Sequence, residues 1–133
     1  MHDPEALTRR IDVIERGYEY LLAYAAQGRQ SDAGSEARST LAGMYAALED
    51  LSELLRSAVE SPGLPGGSAA PGAAGFIEAI EDDTRKARGA IGFVLGRPAI
   101  SSMLVDNLNA SIHLRALLTD IFLVEQGVSQ ARK

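Results

Sequence analysis

Four polar residues near the end of the chain are the ones whose types and spacing best suit chemistry. Asp106, Asn109, His113 and Asp120 recur at intervals that place them on one narrow side of a helix. An exposed histidine on a helical domain is a candidate phosphoryl acceptor, because imidazole titrates close to neutral pH. The pattern therefore allows two interpretations, a site centred on His113 or simply the side of the helix that faces water.

The phosphoryl-transfer interpretation rests on a resemblance. In size and predicted helicity the chain resembles histidine-phosphotransfer modules, whose usual signature is a histidine, a basic residue three positions later and a glycine four positions later. In this sequence the basic residue, Arg115, follows His113 after only two positions, and Leu117 occupies the place of the glycine. Asp106 and Asp120 would also repel a phosphate. The resemblance implies a signalling module that uses His113, and these departures make it an alternative only.

A second set of polar residues interrupts the apolar sides of the predicted helices: Thr84, Asn107, Ser111 and Glu125. A buried polar group without a hydrogen bond destabilises the fold by about 1–3 kcal/mol, so each is expected to have a partner. One interpretation is hydrogen bonding between helices that fixes their register. The other is a polar pocket for a small molecule, which would make the protein a sensor or carrier.

Several kinds of site are not expected. The chain has no cysteine, and neither of its two histidines, His2 and His113, has a glutamate three positions before it, as carboxylate-bridged metal bundles require. Phosphate-binding glycine loops and nucleophile-elbow motifs do not occur. We therefore predict no metal and no cofactor, and a function other than catalysis is favoured.

Charge and hydropathy narrow the partners. A net charge of −5 argues against nucleic acid, which needs a basic face. No apolar run approaches the ~18 residues that a bilayer-spanning helix needs, and the first residues do not form a secretory signal. The sequence therefore predicts a cytoplasmic protein that binds neither membranes nor nucleic acids.

The elements that must position these residues are helical. Apolar residues return every three or four positions through four stretches, at about 4–27, 35–60, 74–95 and 98–126. The segment 61–73 is rich in glycine and proline and is predicted to be a flexible linker between the second and third stretches. We expect a single all-α domain over residues 1–133, a four-helix bundle with an antiparallel up-down arrangement.

Two of these stretches carry features that favour contact with another chain. The first has a second stripe that includes two tyrosines, which are enriched at interfaces, and the third has glycines that allow close approach of a helix. Packing against a second neighbour inside the bundle is the first explanation of the stripe, and the glycines fit close helix packing either in the same chain or across a dimer. The residues in question are Val13, Gly17, Tyr20 and Tyr24 in the first stretch and Gly89, Gly92 and Gly96 in the third.

The fourth stretch is apolar over most of its circumference, more than one bundle interior can cover. Surplus apolar surface tends to mark a binding site for a partner. We therefore predict a homodimer or higher homo-oligomer that acts as an accessory, scaffold or adaptor protein, in contact with itself and with another protein.

Overall fold

The computed structural model describes residues 4–60 and 72–131, and within these ranges helices are the only regular secondary structure. Six helices follow one another without a strand, which confirms the predicted all-α class. None of the helices in these ranges combines the length and the hydropathy that crossing a bilayer requires. The helices are α1 (Pro4–Ala25), α2 (Ala37–Ala47), α3 (Leu51–Val59), α4 (Ala73–Leu95), α5 (Ser102–Ala110) and α6 (Ile112–Ala131).

Two of the predicted helical stretches are each divided in two. The second is interrupted after α2 by a turn over Leu48–Asp50, and α3 begins at Leu51. The fourth does not begin near Pro98: Ser101 caps the N-terminus of α5 by accepting a hydrogen bond from the Leu104 amide at 3.1 Å. It is interrupted again at Ser111, whose ψ of 129° is extended rather than helical.

Specific polar contacts show that α1 runs antiparallel to α2. Near the end of α1, the Tyr20 hydroxyl accepts a hydrogen bond from the Glu36 amide at 3.1 Å, just before α2 begins. Near the start of α1, the Arg10 guanidinium donates to the Asp50 carboxylate at 2.9 Å, just before α3 begins. The two contacts lie at opposite ends of α1 and appear in reverse chain order, as antiparallel neighbours require.

Helix α4 is antiparallel to α2 and α3 by the same criterion. The Arg38 guanidinium, at the start of α2, donates to the carbonyl of Leu95 at the end of α4, at 2.8 Å. Arg56 near the end of α3 forms an ion pair with Glu81 in the first half of α4. Helix α5 packs on α1 and helix α6 on α4. The description of this arrangement as a four-helix bundle stays a prediction.

The apolar stripes read from the sequence form the core. Most of their aliphatic side chains are buried, and they pack against one another across all six helices. The core is aliphatic, with Tyr24 as its one fully buried aromatic among the described residues. Its larger members are Ile14, Leu21, Leu41, Met44, Leu51, Leu55, Ile80, Ile91, Leu114 and Ile121.

A chain of hydrogen bonds ties the two loops at one end of the molecule together. The buried Tyr24 hydroxyl donates to the carbonyl of Ile100 at 2.6 Å, and the Ile100 amide donates to the Asp32 carboxylate at 2.9 Å. Arg38 donates to the other oxygen of Asp32 at 3.1 Å. The bond from Ile100 and then that from Arg38 hold the pKa of Asp32 below its usual value. We interpret this network as structural.

The predicted linker at 61–73 lies almost entirely outside the described residues. Only its last two positions are included: Gly72 has a φ of +84°, which favours glycine, and Ala73 opens α4.

Candidate interaction surface

One side of α6 exposes three large apolar side chains. Ile112 is 74% exposed, Phe122 54% and Leu123 56%. At 100° per residue their positions fall within one third of the helix circumference, with Arg115 and Thr119 between them. Both of these residues are also exposed. We call this surface the α6 face and define it by Ile112, Arg115, Thr119, Phe122 and Leu123.

The break at Ser111 accounts for this exposure. A continuous helix would carry the register of α5 into α6, but the extended backbone at Ser111 rotates everything that follows it. The interrupted chain then begins again as a new helix, in which the Ser111 hydroxyl accepts a hydrogen bond from the His113 amide at 3.3 Å. Apolar residues that one continuous helix would bury against neighbouring helices are consequently exposed to solvent.

Charged residues border the α6 face on its side nearest α1. Arg115 and Phe122 are seven residues apart and share that side of the helix, and Glu125 lies almost one turn beyond Phe122. Glu125 faces Glu15 of α1. Partial desolvation of its carboxyl group, and then the charge and hydrogen bonding of Glu15, raise the pKa of Glu125 above its ordinary value. The edge therefore carries one cation and, further along, two like-charged carboxyl groups.

Helix α1 also exposes a large apolar side chain. Leu22 is 49% exposed and lies two turns after Glu15, on the same side of α1.

The interface predicted on α1 is largely taken up by the chain itself. Tyr24 is fully buried, and Gly17 is buried where an added Cβ would come within 2.5 Å of the Met44 sulfur. Tyr20 is half-buried and stacks on Tyr24 at 6.1 Å between ring centroids. Tyr24 and Gly17 therefore serve packing within the chain, which corrects their assignment to a partner surface; Val13 alone of the four is exposed.

The three glycines of α4 differ from one another. Gly92 is half-buried against Tyr45, and a Cβ there would lie 2.9 Å from the tyrosine ring, so close packing inside the chain explains this glycine. Gly89 is exposed with nothing near the place of a Cβ. Gly96 is exposed and follows the last residue of α4. The structure gives no reason of its own for Gly89.

The polar strip is divided between solvent and interior. Asp106 and His113 are exposed, but Asn109 and Asp120 are buried, so the interpretation of the strip as one water-facing side is wrong. Each side of the break at Ser111 holds one exposed and one buried member of the strip, Asp106 with Asn109 on α5 and His113 with Asp120 on α6. The Asn109 amide donates to the carbonyl of Leu21 at 3.1 Å, which fixes α5 on α1.

Asp120 is an unusual carboxylate in this interior. It is 7% exposed, and its Oδ2 has no hydrogen-bond partner. Burial raises the pKa of Asp120 to about 7, and Asp83 of α4 adds to this through a hydrogen bond and its charge. At pH 7 about half of the molecules therefore carry a proton on Asp120.

The residues predicted to be buried polar groups do not form a common pocket. Thr84 is buried as predicted, but its hydroxyl donates to the carbonyl of Ile80 one turn earlier, at 2.6 Å. Asn107 and Glu125 are exposed and Ser111 is half-buried, so their predicted burial is wrong. The predicted burial of these residues assumes that the fourth stretch is one straight helix, whereas the chain is interrupted at Ser111.

The described part of the chain gives little support for a metal site or for a binding site in a surface depression. No three histidine, aspartate or glutamate side chains there are placed to hold a metal ion. An open depression along α4 is lined by Glu81, Asp82 and Arg85 among others. Arg85 pairs with Asp82 and Glu81 pairs with Arg56, so these charges are already satisfied.

No protein-family model, curated protein or solved structure matches this chain.

Proposed function

We propose that this chain is a non-enzymatic, homo-oligomeric accessory or scaffold protein of the cytoplasm that binds a second copy of itself through the α6 face. The observation that carries the proposal is the exposure of Ile112, Phe122 and Leu123 on one side of a single helix. Burying one such side chain contributes about 1.5–3 kcal/mol, and a symmetric contact buries each of them twice.

A bundle architecture supports this proposal. If α2 with α3 and α5 with α6 are each counted as one bent leg, the antiparallel contacts are those of a four-helix bundle. In such a bundle each leg has one side towards the interior and one side free. The free side of the last leg here also carries large apolar side chains, as expected for a surface that a partner covers.

The two alternative functions have less support. A small-molecule sensor needs convergent polar groups in a cavity, and Thr84, Asn107 and Ser111 do not converge. A phosphotransfer module needs an exposed histidine, and His113 is exposed. It lies in the first turn of α6, however, directly after the break at Ser111.

The substitution Phe122→Glu tests the proposal, because it places a charge in the middle of the contact. We expect the wild type to sediment at about twice its 14.1 kDa chain mass and the variant to sediment as a monomer, with a Kd weakened about a hundredfold or more. Analytical ultracentrifugation over a concentration series measures both.

A matched control is Phe93→Glu, which alters a phenylalanine of similar exposure, 62%, on α4. This variant should associate as the wild type does, and both variants should keep the helical circular dichroism of the wild type. A wild type that stays monomeric, or equal weakening by the two substitutions, would contradict the proposal.

A further inference from the structure

The charges at the edge of the α6 face are arranged symmetrically about its middle. Arg115 and Glu125 lie five residues before and five residues after position 120, and Thr119, the central residue of the face, lies next to that position. By helix periodicity Arg115 lies on the flank of the α6 face that is nearer Glu125, and Glu125 faces Glu15 of α1. None of these three residues forms an ion pair within the described part of the chain.

A twofold symmetry axis close to position 120 would pair the opposite charges of two copies of α6. When two identical helices pack antiparallel around a perpendicular axis, a residue five positions before the axis meets the residue five positions after it on the other copy. The same operation keeps the α1 side of one copy beside the α1 side of the other. Arg115 of each copy is thereby brought to the carboxyl groups of the other copy, and the contact forms twice.

We propose, in a step that rests on the self-association proposed above, that the second copy lies antiparallel across α6 and that its Arg115 faces Glu15 and Glu125 of the first. The contact brings a cation to two carboxyl groups that otherwise repel each other at the edge of an apolar surface. In a parallel pair, which a twofold axis along the helices would relate, the two α1 sides lie on opposite flanks of the contact, so Arg115 meets neither Glu15 nor Glu125 of the other copy. Electrostatic complementarity therefore selects the antiparallel orientation.

A charge exchange tests the orientation. Arg115→Glu places a third acid opposite two carboxyl groups, and Glu125→Arg places two arginines opposite each other. We expect each variant alone to dimerise about tenfold more weakly than the wild type, because two ion pairs are lost and like charges are apposed.

An equimolar mixture of the two variants should recover affinity close to that of the wild type. In the mixed dimer the glutamate introduced at position 115 of one chain meets the arginine introduced at position 125 of the other. The Kd values are measured by sedimentation equilibrium at low and at high salt.

The outcomes separate this inference from the function on which it rests. If both variants and their mixture keep the wild-type Kd while Phe122→Glu abolishes association, the α6 face is the interface but the antiparallel charge contact is wrong. If both variants are weakened and the mixture is no stronger than either, the orientation is also wrong. A monomeric wild type overturns the inference together with the proposed function. Recovery in the mixture that diminishes at high salt supports it.

Discussion

Replacing Asp120 by asparagine is expected to stabilise the folded chain above pH 7. Because one pKa unit corresponds to about 1.4 kcal/mol, raising the pKa of this carboxyl from 3.8 to about 7 destabilises the fold at higher pH by an amount on the order of 4 kcal/mol. Asparagine is neutral and can donate to Asp83. We therefore expect Asp120→Asn to gain about 2 kcal/mol of unfolding free energy at pH 8 and little at pH 4.

The free energy of unfolding depends on pH because the folded and unfolded chains bind different numbers of protons at Asp120. Between pH 4 and pH 7 the folded chain holds a proton on Asp120 that the unfolded chain has released, so the stability of the wild type should fall as the pH rises through this range. The variant should lose the part of this slope that Asp120 contributes and keep the part from Glu125, whose pKa is also raised. Urea unfolding followed by circular dichroism, at one protein concentration throughout, measures both curves.

An appropriate control is Asp106→Asn, which neutralises an exposed carboxyl group on α5. It should leave the slope of the wild type unchanged. If Asp120→Asn were destabilising at pH 8, or if its profile had the slope of the wild type, the buried carboxyl pair with Asp83 would not exist as described.

Removing the side chain of Tyr24 is expected to be among the most destabilising substitutions in the chain. The ring is fully buried, and its hydroxyl holds the carbonyl of Ile100 at 2.6 Å. Tyr24→Ala should lower the unfolding free energy by about 3–5 kcal/mol, through lost burial and the cavity left behind. Tyr24→Phe removes only the hydroxyl and should lower it by about 1–2 kcal/mol.

The comparison with Tyr20 distinguishes a packing role from a binding role. Tyr20 is half-buried, so Tyr20→Phe should cost less stability than Tyr24→Phe. If Tyr24 serves the fold, Tyr24→Phe leaves the dimerisation Kd unchanged while it lowers the urea midpoint. An unaltered midpoint with weakened association would instead return Tyr24 to the partner surface.

How far the sequence predicts this structure depends on where the periodicity is unbroken. The first and third stretches carry regular apolar spacing, and α1 and α4 cover nearly all of them. The fourth stretch is apolar almost all round, so periodicity alone could not reveal a rotation at Ser111. A signal was present nonetheless, because serine favours the position before a helix and a polar Asn109 precedes it by two residues.

The candidate surface was missed for the same reason. On one straight helix Asn109 and Asp120 lie on the same polar side. A helix that is apolar almost all round also gives no means of telling which apolar side chains, such as Ile112, Phe122 and Leu123, are exposed and which are buried under other helices. The expectation of surplus apolar surface on the fourth stretch pointed to the correct segment. Its location on α6, and the packing of Tyr24 inside the chain, required the three-dimensional structure.

A single introduced cysteine tests most directly whether a second copy covers the α6 face. The chain has no cysteine of its own, and Thr119 lies at the middle of the face. Two helices packed about 8–10 Å apart bring facing Cα atoms to about 4–6 Å, which is within the range of a disulfide. Under mild oxidation Thr119→Cys should therefore form a covalent dimer, whereas Ala42→Cys, at an exposed position on α2, should not. Cross-linking of Thr119→Cys no greater than that of Ala42→Cys would contradict the account.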